Sequence, residues 1–265
     1  MGRHPLHKAA LLLAAALLTL APTAARSEFA YGSQRALLVV EARSMRPLIA
    51  YQADRPLPIA SLTKLMTALI AADYLKLDEL YPLTEEESRA LGVSHLTGRK
   101  LIELMLIASS NQAARVVARL ISGQVDRFAE LMNRRAERLG MSRTHFVNPS
   151  GLPADGEAYS TASDLLILLQ EFLSRPELVA ISRQAEVELG GRRYPHTLSR
   201  LRRLIPQLGG FKTGWTREAG RCYLIELGSG SRRYYIISLG SPTRRQGIKD
   251  ILTLANLLGF SVKTK

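Results

Sequence analysis

Residues 211–239, FKTGWTREAGRCYLIELGSGSRRYYIISL, hold three short runs, Phe211–Thr216, Arg221–Leu227 and Tyr234–Leu239, separated by turn-like segments. Six- or seven-residue runs rich in Tyr, Ile and Leu, bounded by Gly and Ser, predict strands in close succession. Two further runs of this kind, Ala36–Glu41 and Leu48–Gln52, flank Ala42-Arg43-Ser44-Met45 near the start and predict a hairpin. Between these two strand regions the pattern is helical. Arg55-Pro56-Leu57-Pro58 breaks the early strands, and Ile59–Leu75 then predicts a helix apolar on most faces, which belongs inside a domain rather than on it. Asp78–Gly98 is polar and turn-rich, and helical periodicity covers Lys100–Leu120 and Val125–Leu139. Asn148-Pro149-Ser150-Gly151-Leu152-Pro153 reads as loop. Thr161, three residues before Asp164, caps a helix through Leu165–Leu169, and Arg245–Leu258 predicts a closing helix after a polar stretch around Gly190. Strands at both ends and helices between them indicate an α+β fold. The early hairpin is expected to join the late strands in one antiparallel sheet flanked by helices.

Composition sets the class. The chain has 265 residues, 46% hydrophobic and 22% charged, enough for one domain, or one with a smaller helical region, and unlike a disordered chain. Its N-terminus is separate from that core. Arg3, His4, His7 and Lys8 precede an apolar run, Ala9–Ala21, and then Thr23-Ala24-Ala25. This is the form of a secretory signal peptide, residues 1–27, with cleavage after Ala25 or after Ser27. The alternative is a retained anchor, for which the run falls short of the roughly 20 residues a spanning helix needs. Residues 28–265 are then an exported domain without a membrane span, in the periplasm or cell-wall space, with loose membrane association as the variant reading.

The single cysteine, Cys222, excludes an internal disulfide and lies in an apolar run, as a buried inert thiol would. Losing Arg3, Lys8 and Arg26 with the leader lowers the formal charge from +13 to +10. In an exported protein that charge meets acidic envelope polymers, and it argues for no nucleic acid. The pairs Arg192-Arg193, Arg202-Arg203, Arg232-Arg233 and Arg244-Arg245 read mostly as solvated surface.

Three motifs carry chemistry. Ser61-Leu62-Thr63-Lys64 opens the buried helix, and residues i and i+3 share a face. A serine hydroxyl needs a base, and burial makes lysine one by lowering its pKa from about 10.4. An ordinary helix start with an exposed lysine explains the same four residues. Ser109-Ser110-Asn111 follows an apolar run, and a helix junction capped by Ser110 or Asn111 accounts for it equally. Lys212-Thr213-Gly214 lies on the first late strand, where ammonium and hydroxyl suit a carboxylate and the glycine admits a close backbone. A solvated strand-end lysine is the plain alternative.

In combination and in this order, the three resemble the active-site set of penicillin-binding proteins and serine β-lactamases. Pro58–Ala68, Asn148–Leu152, Tyr159–Leu165, Gly210–Thr216 and Leu257–Phe260 are similar to the low-molecular-mass serine D-alanyl-D-alanine carboxypeptidases and endopeptidases. The resemblance spans about Arg35 to Phe260. The chain departs from many carboxypeptidases by ending just after the catalytic region and by a compact Ser61–Ser109 segment. Ala219-Gly220-Arg221-Cys222 looks more like the endopeptidase branch.

The resemblance implies a DD-peptidase/β-lactamase-like fold and hydrolysis of D-Ala-D-Ala bonds in peptidoglycan stem peptides, inhibited by β-lactams. It assigns Ser61 as nucleophile, Lys64 as base and Ser109 as proton relay. Asn111, Lys212, Thr213, Gly214 and Trp215 bind substrate, with the backbone N–H groups of Ser61 and Trp215 as oxyanion donors. It calls for no metal and no cofactor. A class A β-lactamase needs a Glu-x-x-Leu-Asn context absent between Ser109 and Lys212, and the class C and D contexts are absent too. A catalytically silent peptidoglycan-binding protein is the non-enzymatic alternative, which the intact motif residues oppose.

Overall fold

The computed structural model describes residues 32–153 and 158–263. The leader expected over residues 1–27 lies outside them. Strands β1 (Ala36–Glu41) and β2 (Pro47–Tyr51) form the early hairpin, and β9 (Leu208–Thr216), β10 (Gly220–Ser229) and β11 (Arg232–Ser241) are the late strands. They make one antiparallel sheet in the order β2-β1-β11-β10-β9, as expected, with Ala36 opposite Leu239 and Lys212 opposite Leu224. Strand β9 is an edge. Apart from this sheet, β3 (Leu57–Pro58) pairs with β6 (Tyr159–Ser160).

The unbroken apolar sequence of β1 follows from two-sided burial, because alternate strand residues face opposite ways. Ala36, Leu38 and Val40 join the larger core with Cys222 and Leu224; Leu37 and Val39 join a smaller core with Tyr223 and Ile225. The smaller core is closed by α8 (Ser199–Leu204) and the last helix, α9 (Arg244–Leu257), through Leu201, Ile248, Ile251 and Leu254.

On the other face lies α1 (Lys64–Tyr74), entered through a 3-10 turn, Ala60–Thr63, and buried on every side from Lys64 to Ala71. Around it pack α3 (Gly98–Leu106), α4 (Asn111–Ser122), α5 (Val125–Leu139), α6 (Ala162–Leu173) and α7 (Pro176–Arg183). The Thr161 cap on α6 is present, its Oγ1 accepting from Asp164 N–H at 2.9 Å.

The expected run Lys100–Leu120 is two helices. Ser110 Oγ accepts the Ala113 N–H at 3.1 Å and starts α4 afresh, so the junction reading of Ser109-Ser110-Asn111 holds. The polar Asp78–Gly98 stretch contains α2 (Glu85–Leu91), held by a capping box between Thr84 and Glu87, and the two-stranded pair β4 (Leu80–Pro82) and β5 (His95–Thr97). The stretch around Gly190 is a hairpin, β7 (Glu186–Leu189) and β8 (Arg192–Pro195). Several paired arginines are structural rather than merely solvated. Arg202 donates to the carbonyls of Ser182, Gln184 and Gly209, tying α7 to the start of β9. Among the described residues no helix is long and apolar enough to cross a membrane.

Candidate active site

The Lys64 ammonium position has no solvent exposure, and its surroundings are specific. Nζ lies 2.9 Å from Ser61 Oγ, 2.7 Å from Asn111 Oδ1 and 2.7 Å from the Ser150 carbonyl oxygen. Burial holds its pKa well below the ordinary lysine range, and the charge of nearby Lys212 lowers it further. A neutral amine has two N–H donors and one lone pair. The amide oxygen and the carbonyl can only accept, so they take the two N–H groups, and the lone pair is left facing the Ser61 hydroxyl. That arrangement is a serine with its base.

The Ser150 carbonyl is a partner that sequence reasoning left out of the site. Asn148 Oδ1 accepts from Ser150 N–H at 3.0 Å, Ser150 Oγ at 3.0 Å and Gly151 N–H at 2.8 Å, folding Asn148–Gly151 into a tight turn. Gly151 has φ +73°, and a Cβ there would stand 1.9 Å from the Ala60 carbonyl oxygen, so only glycine lets this turn lie against the nucleophile's segment. Thr67 Oγ1 donates to the Pro149 carbonyl at 2.7 Å and pins the loop to α1. The turn composition was legible in the sequence; its destination was not.

Lys212 is also fully buried, and burial brings its pKa down to about 7. Its Nζ donates to the Thr213 carbonyl at 2.8 Å, which leaves donor capacity for an anion. Register places Lys212 and Gly214 opposite Leu224 and Cys222 of the larger core, on the Ser61 side of the sheet. Thr213 and Trp215 therefore alternate toward the other face. Trp215 is 54% exposed there, with the Arg221 guanidinium 4.9 Å from its ring centroid. Its side chain stays out of the cleft.

Gly214 has a close contact that its sequence did not suggest. A Cβ at this position would lie 2.9 Å from the Ile59 carbonyl and 3.0 Å from Ser61 N. The close backbone is the protein's own nucleophile turn. Asn111 is tied to Lys64 through Oδ1, and its Nδ2 makes no hydrogen bond among the described residues. Ser109 Oγ likewise makes none.

Strain marks all three motifs. Non-glycine residues with positive φ include Ala60 (47°), immediately before Ser61, Ser109 itself (60°), and Phe211 (98°), immediately before Lys212. Such conformations cost about 1–3 kcal/mol each and persist where the surroundings impose them. Cys222 is buried and its thiol pKa is raised to about 11, as an inert core cysteine requires.

The sequence profile of the D-alanyl-D-alanine carboxypeptidase family matches residues 23–243. The chain belongs to that family. A D-alanyl-D-alanine endopeptidase of Pseudomonas aeruginosa is 34% identical over 218 residues, 76% of this chain and 68% of the relative. The D-alanyl-D-alanine carboxypeptidase DacF of Bacillus subtilis is 30% identical over 246 residues, 84% of this chain and 63% of that protein. The chain thus spans about two thirds of the curated relatives' length. Among solved structures, penicillin-binding protein D2 of Listeria monocytogenes in its ampicillin-bound form superposes with a TM-score of 0.77 at 32% identity, covering 86% of this chain and 98% of that one. This D-alanyl-D-alanine carboxypeptidase family member therefore has the fold of low-molecular-mass penicillin-binding proteins, and its α+β reading stands.

Proposed function

We propose that the chain hydrolyses D-Ala-D-Ala-type bonds of peptidoglycan stem peptides through an acyl-enzyme on Ser61, and that β-lactams inhibit it by acylating the same residue. The observation that carries this is the Lys64 amine, buried, depressed in pKa and facing Ser61 Oγ at 2.9 Å.

In this reading Lys64 takes the Ser61 proton as the oxygen attacks the scissile carbonyl. The backbone N–H groups of Ser61 and Trp215 receive the developing oxyanion. Ser109 passes the proton to the leaving amine, and the C–N bond breaks. Water then cleaves the ester and frees Ser61. Asn111 Nδ2 and the β9 edge hold the peptide, while Lys212 takes the terminal carboxylate together with the half-buried Thr213 hydroxyl, which reaches it around the free edge of β9. The leader-like residues 1–27 suit export to the periplasm or cell-wall space.

Ser61→Ala is expected to abolish both labelling by a fluorescent penicillin and peptide hydrolysis. Labelling that persists in this variant refutes the assignment. The relatives' names include both endopeptidase and carboxypeptidase, and one digestion of peptidoglycan fragments separates them. Loss of a single D-Ala defines a carboxypeptidase; conversion of crosslinked dimer to monomer defines an endopeptidase.

A further inference from the structure

A small notch opens beside the nucleophile turn, walled by Pro58, Ala60, Gly151, Leu152, Pro153, Ala158 and Thr216, with Glu218 as the one charged residue among the described ones. The wall is otherwise apolar apart from the Thr216 hydroxyl, which accepts the Ala219 N–H at 3.0 Å.

Glu218 is well fixed at its backbone, and its side chain has no partner among the described residues. The Arg35 guanidinium donates to the Glu218 and Ala219 carbonyls at 2.6 and 2.8 Å, which holds the β9–β10 turn in place. The Glu218 carboxylate is exposed and forms no ion pair among the described residues. An unpaired carboxylate at the mouth of an apolar notch, in a chain with 36 basic and 23 acidic side chains, is suited to a cationic ligand group.

The direction of the substrate decides which group reaches it. This step rests on the function proposed above. A peptide whose terminal carboxylate sits at Lys212 and Thr213 adds to the free edge of β9 antiparallel, since its C-terminus lies at the strand's earlier residues. Its reacting carbonyl lies at Ser61 and Trp215. The residue on the acyl side of the cut then continues past Thr216 toward the Arg217–Ala219 turn. Successive extended residues advance about 3.4 Å, so the side chain just upstream of the acylating residue comes to the notch.

We infer that Glu218 is a specificity residue: it receives the side-chain amine of a diamino acid on the acyl side of the cleaved bond. The site thus reads opposite charges at its two ends, a carboxylate at Lys212 and an ammonium at Glu218.

The test compares two synthetic peptides on the same enzyme: acetyl-L-Lys-D-Ala-D-Ala with its side-chain amine free, and the same peptide with that amine acetylated. The ratio of their kcat/KM values is the readout, which cancels any general loss of activity. The wild type is expected to favour the free amine by roughly five- to tenfold, the range of a partly exposed charge-assisted contact. Glu218→Gln brings the ratio near one, Glu218→Asp keeps part of the preference, and Glu218→Lys reverses it. If both peptides are cut and the ratio is the same in Glu218→Gln as in the wild type, the inference is wrong and the peptidase reading stands. For an enzyme that cuts only crosslinked dimer, the same ratio is read on dimers whose acyl-side amine is free or acetylated. If the wild type cuts none of these substrates, the peptidase reading fails and takes the inference with it.

Discussion

Replacing Gly214 with alanine isolates the packing between the β9 edge and the nucleophile. The backbone here is outside the left-handed region, so alanine meets no conformational penalty. Its cost is contact alone. The added Cβ would stand 2.9 Å from the Ile59 carbonyl, 3.0 Å from Ser61 N and 3.1 Å from the Ala60 Cβ, where ordinary contact begins near 3.4 Å. One of the two backbones must retreat by about 0.5 Å, and neither is a flexible side-chain end. Overpacking of this kind costs about 1–3 kcal/mol, a fall in Tm of roughly 2–10 °C for a domain of this size. The larger effect falls on acylation. Losing one oxyanion donor costs about 10²–10³ in rate, and displacing one is expected to cost about 10- to 100-fold. Stopped-flow acylation by a fluorescent penicillin separates the non-covalent binding constant from the acylation rate constant. We expect the rate constant to fall and the binding constant to hold. A Gly214→Ala enzyme that acylates at the wild-type rate, or one that loses only binding, would refute the claim that this glycine serves the nucleophile turn rather than the ligand.

Three further outcomes follow from the same geometry. Lys64→Arg is expected to lose acylation nearly as fully as Lys64→Ala, about 10³-fold or more, because a guanidinium stays protonated and has no lone pair for the Ser61 hydroxyl; substantial labelling of Lys64→Arg places the base elsewhere. Stability to urea is expected to rise from pH about 7 to about 9: burial lowers the Lys212 pKa to about 7 in the fold, so over that window the unfolded chain binds more protons and each pH step favours the folded state. Lys64, depressed in the same direction, adds to the slope, whereas the raised thiol of Cys222 opposes it only above about pH 9, and a Lys212→Met protein with an undiminished slope contradicts this account. Thr213→Val should cost about 10- to 100-fold on a substrate with a free terminal carboxylate, the equivalent of one charge-assisted hydrogen bond, and much less on its amidated analogue. Equal losses on the two substrates would assign Thr213 a structural role.

What the sequence determined by itself is the set of elements whose signal is local. The early hairpin and three late strands announced themselves by period and turn residues, and their apolar character on both faces already implied helices above and below. Val125–Leu139 forms a helix with the bounds its periodicity predicts. The catalytic candidates were legible because i, i+3 spacing at a helix start brings Ser61 to Lys64 whatever else the chain does. Elements held by distant partners were not legible. The hairpin around Gly190 and helices α7 and α8 are short, and Arg202 ties α8 to the end of α7 and the start of β9 with bonds that no local period encodes. Only the tertiary structure decided that the Ser150 carbonyl, 86 residues along the chain from Lys64, takes one of that amine's two protons. It also brought Lys212 near enough to depress Lys64, and set Gly214 against the nucleophile turn. Hydrophobic period records which side of an element is buried; it carries no record of which carbonyl or charge the burial brings alongside.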